Sequence, residues 1–240
     1  MNRIVIAVLL ATVLFTATSC GWRTVRGNGN VVTENRNETN FDGVKTAGSF
    51  DLYITQGATY SVRIEAEENL LKYITTRVEG GELKVRVQNG VNLRPRRDMK
   101  VFVTAPGYKA LGIAGSGNII SESAIKSSNN MEFSIAGSGD IRVDDFDAPK
   151  LKVNISGSGS AAVKGSARDA EFRIAGSGDI KCRDLKAENT EVHIAGSGNV
   201  WTFCSQNLDV HIAGGGDVHY MGNPVNVKQK IAGSGSLIKE

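Results

Sequence analysis

One phrase recurs along the second half of this 240-residue chain and constrains the fold more than anything else in it. Ile-Ala-Gly-Ser-Gly followed by Asn, Asp or Ser, with minor changes in two copies, begins at Ile113, Ile135, Ile155, Ile174, Ile194, Ile212 and Ile231. The intervals are 22, 20, 19, 20, 18 and 19 residues. A unit this short cannot bury an apolar face by itself, so neighbouring units must stack, and a period near 20 residues with strand-like patterning predicts a β-solenoid. Two residues before each Ile stand Leu111, Phe133, Val153, Phe172, Val192, Val210 and Gln229. Six residues after it stand Ile119, Ile141, Ala161, Ile180, Val200, Val218 and Leu237. In extended chain these columns share the parity of the Ile, so all three point to one side, the core. Gln229 breaks the pattern in the last coil, where a cap is expected.

Both glycine columns share that inward parity, which predicts a narrow waist or a bend that admits no side chain. A phosphate loop is excluded: Gly115-Ser116-Gly117-Asn118-Ile119-Ile120 has neither a third glycine nor a following lysine. No copy makes Gly-x-Ser-x-Gly either, so there is no nucleophile elbow. The column after the second glycine reads Asn118, Asp140, Ser160, Asp179, Asn199, Asp217 and Ser236, and no two Asp are consecutive. Strands about 4.8 Å apart would set stacked carboxylates against one another. The alternation reads as a hydrogen-bonded ladder, and a row of cation ligands is the alternative.

Residues 27–110 carry strand-like runs at Phe50–Thr55, Ser61–Ala66, Leu83–Val87 and Lys100–Thr104, a short helical signal at Glu67–Arg77 and a turn at Gly80-Gly81. Such a segment suits a cap over the first coil. The expected fold is all-β, a parallel β-helix-like solenoid of about seven coils of about 20 residues with an N-terminal β-rich cap. Its divisions are a signal peptide at 1–19, a tether at 20–40, the cap at 41–110 and the repeats at 111–240.

The amino terminus reads as an address. After Arg3, residues Ile4 to Ser19 are almost wholly apolar or small, too short to span a bilayer but the right length for a secretory signal. Ala17-Thr18-Ser19-Cys20-Gly21 resembles the lipobox of bacterial lipoproteins, with Ala17 where Leu is commonest. This resemblance implies lipidation of Cys20 and anchoring without spanning. The residues just after Cys20, from Gly21 to Arg26, are basic, so the acidic cue for surface export is missing. The expected location is the bacterial cell envelope, with the bilayer as a partner through Cys20.

Gly27-Asn28-Gly29-Asn30-Val31-Val32, Phe41-Asp42-Gly43-Val44 and Gly48-Ser49-Phe50-Asp51-Leu52, followed by the Gly-Ser-Gly-Asp repeats, resemble the family labelled "putative auto-transporter adhesin, head GIN domain". The likeness covers roughly residues 30–235. It implies a right-handed solenoid in a bacterial lipoprotein, and it brings no catalytic residues. No membrane-barrel segment follows the last repeat, a departure from an autotransporter.

The formal charge of +3 is too small to argue for nucleic acid. On the outward positions, Glu191 with His193 and Asp209 with His211 form a two-by-two patch on adjacent coils. The default reading is a solvated charged face, and a Zn²⁺-type site is the sharper alternative. Arg173 and Lys230 share the histidine column and, with Trp201, are the candidate ligand-face residues. Trp201, Phe203 and Tyr220 are the only candidates for a sugar-binding aromatic row, and parity turns Tyr220 inward. Asp144, Asp145 and Asp147, with Arg142 and Lys150, are the densest acidic group, read by default as a solvated corner and otherwise as glycan-cleaving carboxylates. Cys182 looks like core, and Cys204 is two residues out of its register, beyond ordinary disulfide reach unless the register shifts. The functional expectation is a non-enzymatic binding, adhesion-like or scaffold module without a cofactor, whose ligand is a protein or a glycan. A carbohydrate-binding or carbohydrate-active β-helix is the alternative.

Overall fold

The computed structural model describes residues 23–240. The signal peptide and Cys20 lie outside the described residues. The inward columns stack as the repeat demands. Ile113, Ile135, Ile155, Ile174, Ile194, Ile212 and Ile231 are consecutive partners in one parallel ladder. A second ladder runs through Ile119, Ile141, Ala161, Ile180, Val200, Val218 and Leu237. A third, shorter one passes through Ile125, Phe146 and Gly165 to Leu185. Each coil thus turns through three faces, and in Asp140–Gly157 and Ser160–Gly176 one continuous strand supplies all of them.

The bend between the first two faces falls at the first glycine of each repeat, whose φ lies between +127° and +142°. Side chains rarely adopt that conformation. The second glycine is needed for a different reason: at Gly178 an added Cβ would sit 2.3 Å from the Gly159 carbonyl oxygen of the preceding coil. Around these corners the core is apolar. Leu111, Phe133, Val153, Phe172, Val192 and Val210 are all fully buried, and Phe133 and Phe146 pack edge to face at 5.9 Å.

The ladder crosses residue 111 into the expected cap. Strand Gly43–Gly48 pairs in parallel with Ala110–Gly115, with Thr46 opposite Ile113 and Gly48 opposite Gly115. Phe50–Gln56 lies between Ile119–Ser121 and Met99–Ala105, and Glu82–Val87 flanks Gly43–Gly48 on its other side. Residues 43–56 therefore form a coil in register with the repeats, inserted between later-synthesised neighbours. Antiparallel strands close this end: Val31–Arg36 on Ser61–Glu67, Ser61–Glu67 on Met99–Ala105, and Ile74–Glu79 on Glu82–Val87 through the Gly80-Gly81 turn.

Two local expectations need correction. The helical signal at Glu67–Arg77 yields one turn, Glu68–Leu71, with Leu70 and Leu71 buried. Beyond it the β-branched residues Ile74, Thr75 and Thr76 enter a hairpin strand, because cross-strand pairing outweighs a helical period only three turns long. Within the stretch expected to be a tether, Arg23–Arg26 pairs in parallel with Val91–Arg94, and Val31–Arg36 joins the antiparallel end.

Glu67 fastens these N-terminal pieces together. It is fully buried, and its carboxylate accepts the backbone N–H groups of Gly29 and Arg96, the latter at 2.7 Å. Burial alone would raise its pKa, but the N–H groups of Arg96, Gly29 and Arg97 and the Arg96 charge hold it below the ordinary value.

At the other end, every residue of Asn226–Gly233 is exposed, and Val227 and Ile231 are 44% and 36% accessible. Cys182 and Cys204 are both buried and free. Cys182 stands opposite Thr202, so the register does not shift to bring Cys204 across. Burial pushes the Cys182 thiol up to about 12.

Candidate functional site

The Asx column forms a ladder in two runs, from Asp51 to Ser160 and from Asp179 to Ser236. Asn118 donates through its side chain to Asp51 Oδ1 at 2.8 Å, and the Asn118 amide oxygen accepts the backbone N–H of Asp140 at 3.2 Å. Asp140 Oδ1 accepts both the N–H and the hydroxyl of Ser160 at 2.8 Å. Asp179 takes Asn199, Asn199 takes the N–H of Asp217, and Asp217 takes the N–H of Ser236. These side-chain oxygens serve backbone donors at the bends, so the column is committed to structure. A second ladder that the repeat phrase does not reveal joins Asp169, Asn189, Asn207 and Asn226 through side-chain amides at 2.7–2.8 Å. Its signal is legible only once the third face is placed, because the intervals of 20, 18 and 19 residues belong to a different corner.

The outward side of the Ile face carries the largest concentration of candidate residues. Its outer columns are simple. One is small and exposed: Ala136, Ser156, Ala175, Ala195, Ala213 and Ala232. Beside it rise Arg173, His193, His211 and Lys230. Together they shape a groove of about 660 Å³, floored by alanine methyls and walled on one side by basic side chains. Spanning the five steps from Ser134 to Lys230, it is about 24 Å long at the usual strand spacing. The expected ligand-face residues Arg173 and Lys230 thus meet each other's neighbours along one groove. Trp201 does not join them: it lies on the second face, beside Lys181 and stacked on His219 at 5.3 Å.

Most of the wall meets a carboxylate from behind. Arg173 Nε pairs with Glu171 at 2.8 Å, and Lys150 reaches the same carboxylate at 2.7 Å. The Lys150 ammonium, with Arg173, holds the Glu171 carboxyl down at about 2 against the opposing effect of burial. The two imidazoles lie face to face, with centroids 4.9 Å apart and planes 9° from parallel. Each turns Nε2 to the carboxylate of its own strand, His193 to Glu191 at 2.5 Å and His211 to Asp209 at 3.1 Å. Among the described residues no three His, Cys, Asp or Glu side chains are grouped to hold a metal ion. Lys230, in the last coil, is the wall's one cation with no ion pair among the described residues.

The remaining sequence candidates disperse. Asp144 is shared by Arg142 at 2.8 Å and Lys164 at 3.3 Å, and the Arg142 guanidinium foremost lowers its pKa. Asp147 accepts the Ser166 hydroxyl at 3.1 Å, while Lys150 goes to Glu171. Phe203 lies under the Lys186 ammonium at 4.1 Å, and Tyr220 packs against the core. The three aromatics do not make a row.

Solved proteins share this architecture. A protein described as a putative lipid binding protein from Parabacteroides distasonis is 31% identical, aligns over 91% of this chain and 100% of its own, and superposes with a TM-score of 0.77. A putative adhesin from Bacteroides fragilis is 20% identical over 90% of this chain and 100% of its own, with a TM-score of 0.84. Another from Parabacteroides merdae is 22% identical over 91% and 99%, with a TM-score of 0.68. No curated protein matches. Residues 40–224 match the family described as "Putative auto-transporter adhesin, head GIN domain", and the chain belongs to that family.

Proposed function

We propose that this protein is a lipid-anchored component of the bacterial cell envelope and acts as a non-enzymatic binding module. Its contact surface is the alanine-floored groove of the Ile face. The observation that carries this reading is the groove itself. Over about 24 Å it presents a flat apolar floor beside Arg173, His193, His211 and Lys230, on a scaffold whose glycine corners and Asx ladders keep it rigid. Family membership supports an adhesion-like role, and Glu171, Asp144 and Asp140 are engaged by cations or by backbone N–H groups, which favours binding over acid–base catalysis. Cys20, after the apolar run from Ile4 to Ser19, supports the anchor.

Ala195→Lys would fill the floor without touching the core. Wild type and this variant are applied to a glycan array and to a panel of matrix proteins. A hit that is lost with Ala195→Lys supports the groove, and a hit that survives it removes the groove from the reading. Metabolic labelling with a radioactive fatty acid, comparing wild type with Cys20→Ala, tests the anchor: label that persists in Cys20→Ala sinks it.

A second reading is lipid binding in the same groove. The 31%-identical relative is described as a lipid binding protein, and an apolar floor beside cations suits an acyl chain with an anionic head. Fluorescent fatty acid displaced by Ala195→Lys would favour it over a protein or glycan ligand.

A further inference from the structure

The strand Arg23–Arg26 lies beside Val91–Arg94 and brings five arginines from two distant parts of the sequence to one end of the molecule. Arg23, Arg26, Arg94, Arg96 and Arg97 are all exposed. Arg26 and Arg94 are direct cross-strand partners on the outer side of this two-stranded sheet, since Val25 and Leu93 turn to its inner side. Like charges directly opposite one another destabilise a strand pair. Where like charges face each other elsewhere, as Lys45 faces Lys84, opposite charges compensate them: Lys45 pairs with Glu82 and Lys84 with Glu79. Among the described residues none of the five arginines forms an ion pair. Arg23 instead lies 5.8 Å from the Tyr73 ring centroid, where the Lys72 ammonium adds a further cation at 5.2 Å. The acidic residues at hand are Asp98, exposed in the same loop, and Glu68, which is engaged by Asn30. Glu67 is buried beneath and fixes the Arg96 backbone, so the loop that carries Arg94, Arg96 and Arg97 is held in place.

We propose that this arginine face docks on the anionic lipid headgroups of the membrane that holds the anchor. Arg23 is three residues from Cys20, a contour of about 10 Å. An acyl chain at that cysteine would therefore deliver the basic sheet to the headgroup layer. Anionic headgroups would then supply the countercharge that Arg26 and Arg94 lack, and a basic patch next to a lipid anchor is the usual two-signal arrangement. The head would lie against the bilayer, with the rod and its groove projecting away. The identity of the membrane rests on the anchoring reading, but the docking is tested without the acyl group.

The test uses the chain from Gly21 to Glu240, which contains every described residue. Its binding is measured by co-sedimentation with vesicles of phosphatidylcholine alone and of phosphatidylcholine mixed with phosphatidylglycerol. Binding is expected only to the mixed vesicles, and it should be released near 1 M salt, where the screening length is about 3 Å. At the usual contribution of a surface arginine, Arg26→Ala with Arg94→Ala should weaken it roughly 30-fold. Lys181→Ala with Lys228→Ala removes the same charge from exposed sites elsewhere and should leave binding unchanged. Equal binding to both vesicles, retention by the arginine variant, or equal loss in the lysine control would each overturn the proposal. Acylation of Cys20 is read separately in the labelling experiment, so either idea can fail alone.

Discussion

Replacing Gly178 by alanine isolates what holds the coils together. The new Cβ would stand 2.3 Å from the Gly159 carbonyl oxygen and 2.7 Å from the Ile155 Cγ2 methyl. Ordinary van der Waals contact begins near 3.4 Å, so the two coils must part locally by about 1 Å. The hydrogen bonds that set this spacing, Ser177 N–H to Gly157 O at 2.9 Å and Asp179 N–H to Gly159 O at 3.2 Å, do not survive such an opening. Two backbone bonds at about 1 kcal/mol each, with about 1 kcal/mol of overpacking strain, give a loss of about 3 kcal/mol. For a protein of this size that lowers the melting temperature by roughly 6–12 °C. Gly80→Ala is the control. Gly80 has φ +61° and nothing within 4 Å of a built Cβ, so it carries only the left-handed backbone cost of about 1 kcal/mol. Urea unfolding of both variants beside the wild type separates contact from conformation. If Gly178→Ala loses no more than Gly80→Ala, close backbone stacking is not what the repeated glycine is for.

Glu67→Gln should cost about 1–3 kcal/mol, because one amide end must face a backbone donor that a carboxylate oxygen now satisfies. The Glu67 pKa is lowered by folding, so its contribution is present above the ordinary value near 4.5 and fades as pH falls through the lower folded value. Thermal melts of wild type should converge on those of Glu67→Gln in that acid range, and parallel curves would contradict the clasp. Asn199→Asp would place carboxylates on three successive coils, Asp179, position 199 and Asp217. A loss of about 1–2 kcal/mol at neutral pH is expected, recovered on acidification, and unchanged stability would remove the reason given for spacing the aspartates.

Much of the architecture is legible in the amino-acid sequence because a repeat averages out local ambiguity. The phrase at Ile113 and its six echoes determines the period, the inward columns and the spaced Asx ladder, since parity along an extended chain needs no tertiary information. Pairing of His193 with Glu191 and His211 with Asp209 follows from the same parity. The tertiary structure alone decides which faces these columns occupy. Trp201 and Arg173 look equivalent in a list of outward residues, yet a three-sided coil puts a corner between them. The small-residue column, alanine in every copy except Ser156, is present in the sequence, but its exposure beside a basic wall emerges only when coils stack. The N-terminal part was least legible. Gly43–Gly48 lacks the full phrase, and its place between Glu82–Val87 and Ala110–Gly115 reverses chain order. The arginine face joins residues 23–26 to residues 91–97. Periodicity reports the neighbours one coil away, and contacts between segments about 70 residues apart are chosen by shape and burial, which no local pattern encodes.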